Sequence, residues 1–176
     1  MGLASSEFSY WRRDRKSKER KINSTRTLIS LENERNMELL KEFWYKLNGS
    51  DEDPEETDKL KISYAHKLIK MPLPHWNTVM WTKQASLLAI AFKDKEIIEV
   101  SSFNNCFQKL KSIYTKLIDL DAKDREYNSS YAGSGVDMSN LPRSDRFREE
   151  APCLWDEFEE ITVYLIKKGN PLKDKG

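Results

Sequence analysis

Apolar residues recur along this chain at helical rather than strand spacing. Within residues 31–47, Leu40, Phe43, Trp44 and Leu47 fall at i, i+3, i+4 and i+7, with Met37 a turn earlier, so one helix face carries them all. Ser30 is placed to cap that helix and Gly49 to stop it. The acidic loop that follows, Asp51, Glu52, Asp53, Pro54, Glu55 and Glu56, turns into a second helix start. There Asp53 caps, Pro54 suits the first helical position, and Glu56 completes a capping box. Leu60, Tyr64, Leu68 and Met71 then recur at steps of four, four and three, with Ile69 beside them and Pro72 and Pro74 beyond. That spacing predicts a second amphipathic helix.

Residues 76–92 are the most apolar stretch, holding Trp76, Val79, Met80, Trp81, Leu87, Leu88, Ile90 and Phe92. They read as a central, mostly buried helix, because apolar residues occupy nearly every face from Leu87 onward. A hairpin of 87–92 with 97–100 is the rival reading, weakened by a turn at 93–96 without Gly or Asn. Phe103, Phe107, Leu110, Tyr114 and Leu117 step by four, three, four and three. This is a helical core stripe, capped by Ser101 or Ser102. Residues 122–148 break every period and read as a polar loop, a linker or a partner-binding segment. The final helix is predicted over 152–168, with Leu154, Trp155, Phe158, Ile161, Thr162, Leu165 and Ile166 on one face. Lys167 and Lys168 suit its C-terminus, Gly169 the position after it, and Pro171 the stop.

The predicted fold is therefore mainly α, a compact bundle of about five helices with a flexible basic N-terminal arm. The arm covers residues 1–27, with a polar hinge at 23–27; the helical core 28–121, the loop 122–148, the last helix 149–170 and a charged tail 171–176 complete the division. The aromatic content, five Trp, seven Tyr and seven Phe, argues against wholesale disorder. No apolar run approaches the length that spans a bilayer, and no apolar secretory signal opens the chain. Cys106 and Cys153 have neither disulfide-framework nor metal-ligand spacing and read as buried thiols of a reducing compartment. The sequons at Asn23, Asn48 and Asn128 are then chance matches.

Charge changes the picture most. Residues 1–26 hold eight Lys and Arg against three acidic residues, whereas the remainder is mildly acidic, so the overall +1 hides a positive arm. Its cluster is Arg12, Arg13, Arg15, Lys16, Lys18, Arg20 and Lys21, with Arg26 just beyond. The chain opens Met1-Gly2-Leu3-Ala4-Ser5-Ser6, which fits the pattern for N-myristoylation at Gly2. A myristoyl chain alone binds membranes only marginally, and a polybasic patch is one of the second signals that make the anchor stable. The same run also suits a nuclear-import signal or a nucleic-acid patch. Ser17, flanked by Arg13, Arg15, Lys16 and Lys18, is a candidate phosphorylation site whose added charge would release the arm from an anionic surface.

In organisation, Gly2, Ser6 and the basic cluster at 12–21 resemble the matrix domains of retroviral Gag proteins, which place an acyl group and a basic patch on a small helical body. The resemblance covers those positions alone, with no body motif in common. It implies, by analogy, a structural protein assembling on the inner leaflet.

No catalytic constellation stands out. His66 and His75 belong to no H-E-x-x-H set, and each reads as an ordinary side chain. The run from Asp119 begins like a calcium loop and then fails, with Lys123 at the fifth position, Asp124 where Gly is needed and Ser130 where Glu belongs. Gly133 and Gly135 have no phosphate-loop Lys behind them. The sequence thus points to a non-enzymatic peripheral membrane protein on the cytoplasmic face of a membrane, without cofactor or metal. Its expected partners are anionic lipids and a protein partner or a second copy of itself. The alternative is a nucleic-acid-binding or nuclear protein using the basic arm without lipid.

Overall fold

A computed structural model describes residues 3–48, 58–83, 85–129 and 143–173. These residues form α1 (Leu3–Asn48), α2 (Asp58–Lys70), α3 (Val79–Lys83), α4 (Ala85–Ala91), α5 (Asp94–Ser129) and α6 (Asp145–Lys168), with no strand among them. The chain is mainly α, as the apolar spacing predicts. It divides into two packed units, Met1–Met37, Trp76–Asn104 and Gly169–Gly176 on one side, Glu38–His75 and Asn105–Lys168 on the other.

In the first unit, Ile29 of α1, Leu88 and Ala91 of α4, Phe92, and Val100 of α5 form the core, with Ile22, Met80, Trp81, Ile97 and Leu172 packed around it. α1 does not begin at Ser30, and the predicted hinge at 23–27 is helical. The stripe that continues the helix runs Ile22, Thr25, Arg26, Ile29, Glu32, Asn33, Asn36 and Met37, where Thr25, Glu32, Asn33 and Asn36 are buried although polar. Two of them are matched by backbone: Asn36 both donates to the Asn77 carbonyl (2.6 Å) and accepts from the Asn77 amide (2.9 Å). Glu32 accepts from the Met80 and Trp81 amides at the start of α3 (2.9 and 3.4 Å). A carboxylate there satisfies donors that the helix itself leaves unpaired.

Those bonds also explain why 76–92 is not one helix. Residues 76–78 are non-helical, and α3 and α4 follow as two short helices. The rival hairpin does not form either, since 87–91 lie in α4 and 97–100 in α5. The start of α5 is Asp94 rather than Ser101 or Ser102. Glu96 caps it by accepting from the Lys93 amide at 2.9 Å, half of a capping box.

In the second unit α2 packs along α6. The core holds Leu40, Phe43 and Leu47 of α1, Ala65 and Leu68 of α2, Phe107, Leu110, Ile113 and Leu117 of α5, and Phe147, Trp155, Phe158 and Leu165 of α6. Trp155 stacks on Trp44 at 5.9 Å and on Tyr64 at 5.0 Å, while Phe43 meets Phe158 edge-on at 6.3 Å. Two polar contacts fix α2 and the segment after it: Lys61 with Asp156 (2.9 Å), and the Tyr114 hydroxyl donating to the Met71 carbonyl (3.0 Å).

Of the predicted loop at 122–148, residues 122–129 are helical in α5 and 145–148 in α6, while 130–142 lie outside the described residues. Pro152 lies inside α6, not at its start. The helix ends as predicted, with Gly169 at φ 68° just past Lys168, a left-handed conformation that glycine adopts without strain. The two thiols differ from expectation: Cys153 is exposed and Cys106 half-buried, its pKa raised by that burial. The capping residues Asp53, Pro54 and Glu56, with Gly49, Gly133 and Gly135, lie outside the described residues.

Candidate functional site

Two groups of charged side chains stand out, one on the surface and one inside. The first is the start of α1. Every residue from Tyr10 to Lys21 is exposed, including two large aromatics, Tyr10 at 76% and Trp11 at 56%. Ser17 is among them. Gly2 lies outside the described residues, immediately before the first residue of α1.

The seven predicted cations are not equivalent once they sit on a helix. Lys18 pairs with Asp14 at 2.9 Å and Arg15 with Glu19 at 3.1 Å, both one turn apart. The Asp14 hydrogen bond and charge raise the Lys18 pKa. Arg15 also lies over the Trp11 ring at 5.6 Å. Arg13, Lys16, Arg20 and Lys21, by contrast, make no ion pair among the described residues. At about 100° of rotation per residue, these four fall with Ser17 and Tyr10 in one sector of roughly 140°, which holds no acidic residue. The packing stripe that begins at Ile22 lies on the other side of the same helix.

Arg26 belongs to this run in sequence but not in structure. Its guanidinium donates to Glu96 Oε1 at 2.8 Å, to Glu96 Oε2 at 3.2 Å and to the Ala91 carbonyl at 2.7 Å, and it covers the Phe92 ring at 4.9 Å. This cation is part of the fold.

The second group is a polar cluster in the second unit. Arg143 donates from one nitrogen to Asp121 Oδ1 (2.6 Å) and Asp124 Oδ2 (2.8 Å), and from the other to His66 Nδ1 (3.0 Å). Asp124 Oδ1 accepts from the Ser144 amide at 2.7 Å, and Arg125 pairs with Asp121 Oδ2 at 2.7 Å. Ser144 in turn caps α6, its hydroxyl accepting from the Phe147 amide at 3.3 Å. Burial opposes charge on Asp124, but the bonds from Ser144 and Arg143 outweigh it, and its pKa is lowered. Burial, then the charges of Arg143 and Lys70, lower His66 against the pull of Asp121. A guanidinium has only donors, so His66 must accept through an unprotonated nitrogen.

In the sequence, His66 reads as an ordinary side chain, Asp121 closes the helical core, and Asp124 and Arg143 fall in the predicted loop. The signal was present: Leu117, Leu120, Asp121 and Asp124 continue the inward helical spacing, with carboxylates in place of apolar residues. Chemically the cluster is a closed ion-pair network that ties the start of α6 to α5 and α2. The described residues contain no group of side chains that could hold a metal ion, and no helix long and apolar enough to cross a membrane. Comparison of the chain with models of protein families, with curated proteins and with solved structures gives no match.

Proposed function

We propose that this chain is a peripheral membrane protein, non-enzymatic and matrix- or adaptor-like. It docks on the anionic cytoplasmic face of a membrane through the start of α1, and its helical body serves protein–protein assembly or self-association. The supporting observation is the set of exposed cations on α1 that make no ion pair among the described residues, Arg13, Lys16, Arg20 and Lys21. Near an anionic leaflet each contributes on the order of 1 kcal/mol. Together they supply the second signal that a myristoyl group at Gly2 needs for residence. Where Met1 initiates the chain, its removal exposes the Gly2 amine for acylation. Ser17, within the same sector, is where a phosphate would weaken docking.

The test is flotation of the full chain on neutral and phosphatidylserine-containing vesicles, with protein expressed with and without an N-myristoyltransferase. Intact mass reports the acyl group. Flotation that requires anionic lipid and strengthens with acylation is the expected result. Protein that ignores anionic vesicles but binds a nucleic-acid duplex would replace this reading with the nucleic-acid one.

A further inference from the structure

The geometry points to one sector of α1 as the lipid-contacting surface: Arg13, Lys16, Arg20 and Lys21, with Tyr10 at its edge, meet the headgroups side-on, while Arg15 and Lys18 face away. This rests on the membrane reading above and says how the helix would lie. A basic run in an extended arm engages an anionic surface in any order, so only its net charge matters. On a helix, position matters as well. The four cations share about 140° of circumference with no carboxylate among them. Asp14 and Glu19 lie outside that sector, each bonded to a cation one turn away. Turned toward a leaflet, the other side would bring two carboxylates to the headgroups together with their partners.

Screening sharpens the difference. The helix with its side chains is about 10–12 Å across, and the Debye length at physiological salt is about 8 Å. A charge on the far side therefore feels the leaflet at roughly a third of its contact strength or less. Tyr10, 76% exposed at the sector's edge, presents a ring and hydroxyl of the kind that settles at a headgroup boundary.

Two double variants with the same change in net charge separate the possibilities. Arg13→Gln with Arg20→Gln removes two of the sector's four cations, and Arg15→Gln with Lys18→Gln removes two cations from the other side. Gln, Lys and Arg have nearly equal helix propensity, and circular dichroism checks that helix content is kept. On vesicles containing phosphatidylserine, the first variant is expected to lose about thirtyfold in binding and the second about threefold or less. Equal losses would overturn the side-on assignment while leaving membrane docking in place. A wild-type chain that fails to bind these vesicles at all would remove the docking reading itself and the assignment with it.

Discussion

His66 accepts a hydrogen bond from Arg143 and can do so only while that ring nitrogen carries no proton. The groups facing it are Lys70 on its own helix, Asp121 and Arg125 on α5, and Arg143 before α6. Its lowered pKa fixes the sign of a pH effect. Between the lowered value and the ordinary 6.5, the unfolded chain binds more protons than the folded one. Stability is therefore undiminished above that ordinary value and falls as pH is lowered through it. Asp124, also lowered, adds stability that is present above its ordinary 3.8 and lost as pH falls through its folded value. Urea midpoints measured from pH 7.5 to 5 should decline for the wild type and stay flatter for His66→Gln, which accepts from Arg143 without titrating. Arg26→Ala, in the first unit, leaves the buried Glu96 carboxylate without its guanidinium partner. A loss of about 1–3 kcal/mol in denaturant unfolding is expected.

Among the elements, the termini of α6 are the most direct to probe. Ser144→Ala removes the hydroxyl that caps it and should cost about 1 kcal/mol. At its other end Gly169 has φ 68° and open space where a Cβ would sit, so an added side chain meets strain but no clash. Gly169→Ala should cost about 1–2 kcal/mol and Gly169→Asn less, since Asn visits the left-handed region more readily. The existence and inward face of a helix were legible in the sequence where inward positions are apolar, as in Phe107, Leu110 and Leu117 of α5 or Trp155, Phe158 and Leu165 of α6, although both helices begin ahead of their predicted starts, at Asp94 and Asp145. Helical continuity was lost where inward positions are polar. Thr25 sits in the predicted hinge at 23–27, Glu32 and Asn36 are polar inward positions that gave no apolar signal joining it to the stripe at 37–47, and Asp121 and Asp124 made the end of α5 look like a loop. Hydrophobic periodicity carries no signal at such positions, because burial is balanced there by partners distant in sequence: Asn77, Met80 and Arg143. For the basic run, the residues were legible but the pattern of Asp14 and Glu19 pairing was not, since it needs the helix to bring i and i+4 together.

For the whole molecule, docking carried by exposed cations should weaken with salt. Vesicle binding of the unacylated chain is expected to fall steeply between 50 and 300 mM salt, roughly as the screening length shortens. The acylated chain should fall less, because its lipid contribution is not screened. Ser17→Asp places a carboxylate inside the sector that otherwise holds none, and should weaken vesicle binding about fivefold, with Ser17→Ala unchanged. One contact inside the fold sets how such measurements transfer to shorter material. Arg26 is held by Glu96 and the Ala91 carbonyl in the intact chain. A synthetic peptide of residues 1–26 would set that guanidinium free and present one cation more than the folded protein does. Its affinity for anionic vesicles should exceed what the protein's own exposed charges supply by about fivefold, one cation's worth. Affinities measured on such a fragment are ceilings for the protein's electrostatic grip, since part of the fragment's charge is spoken for once the chain folds.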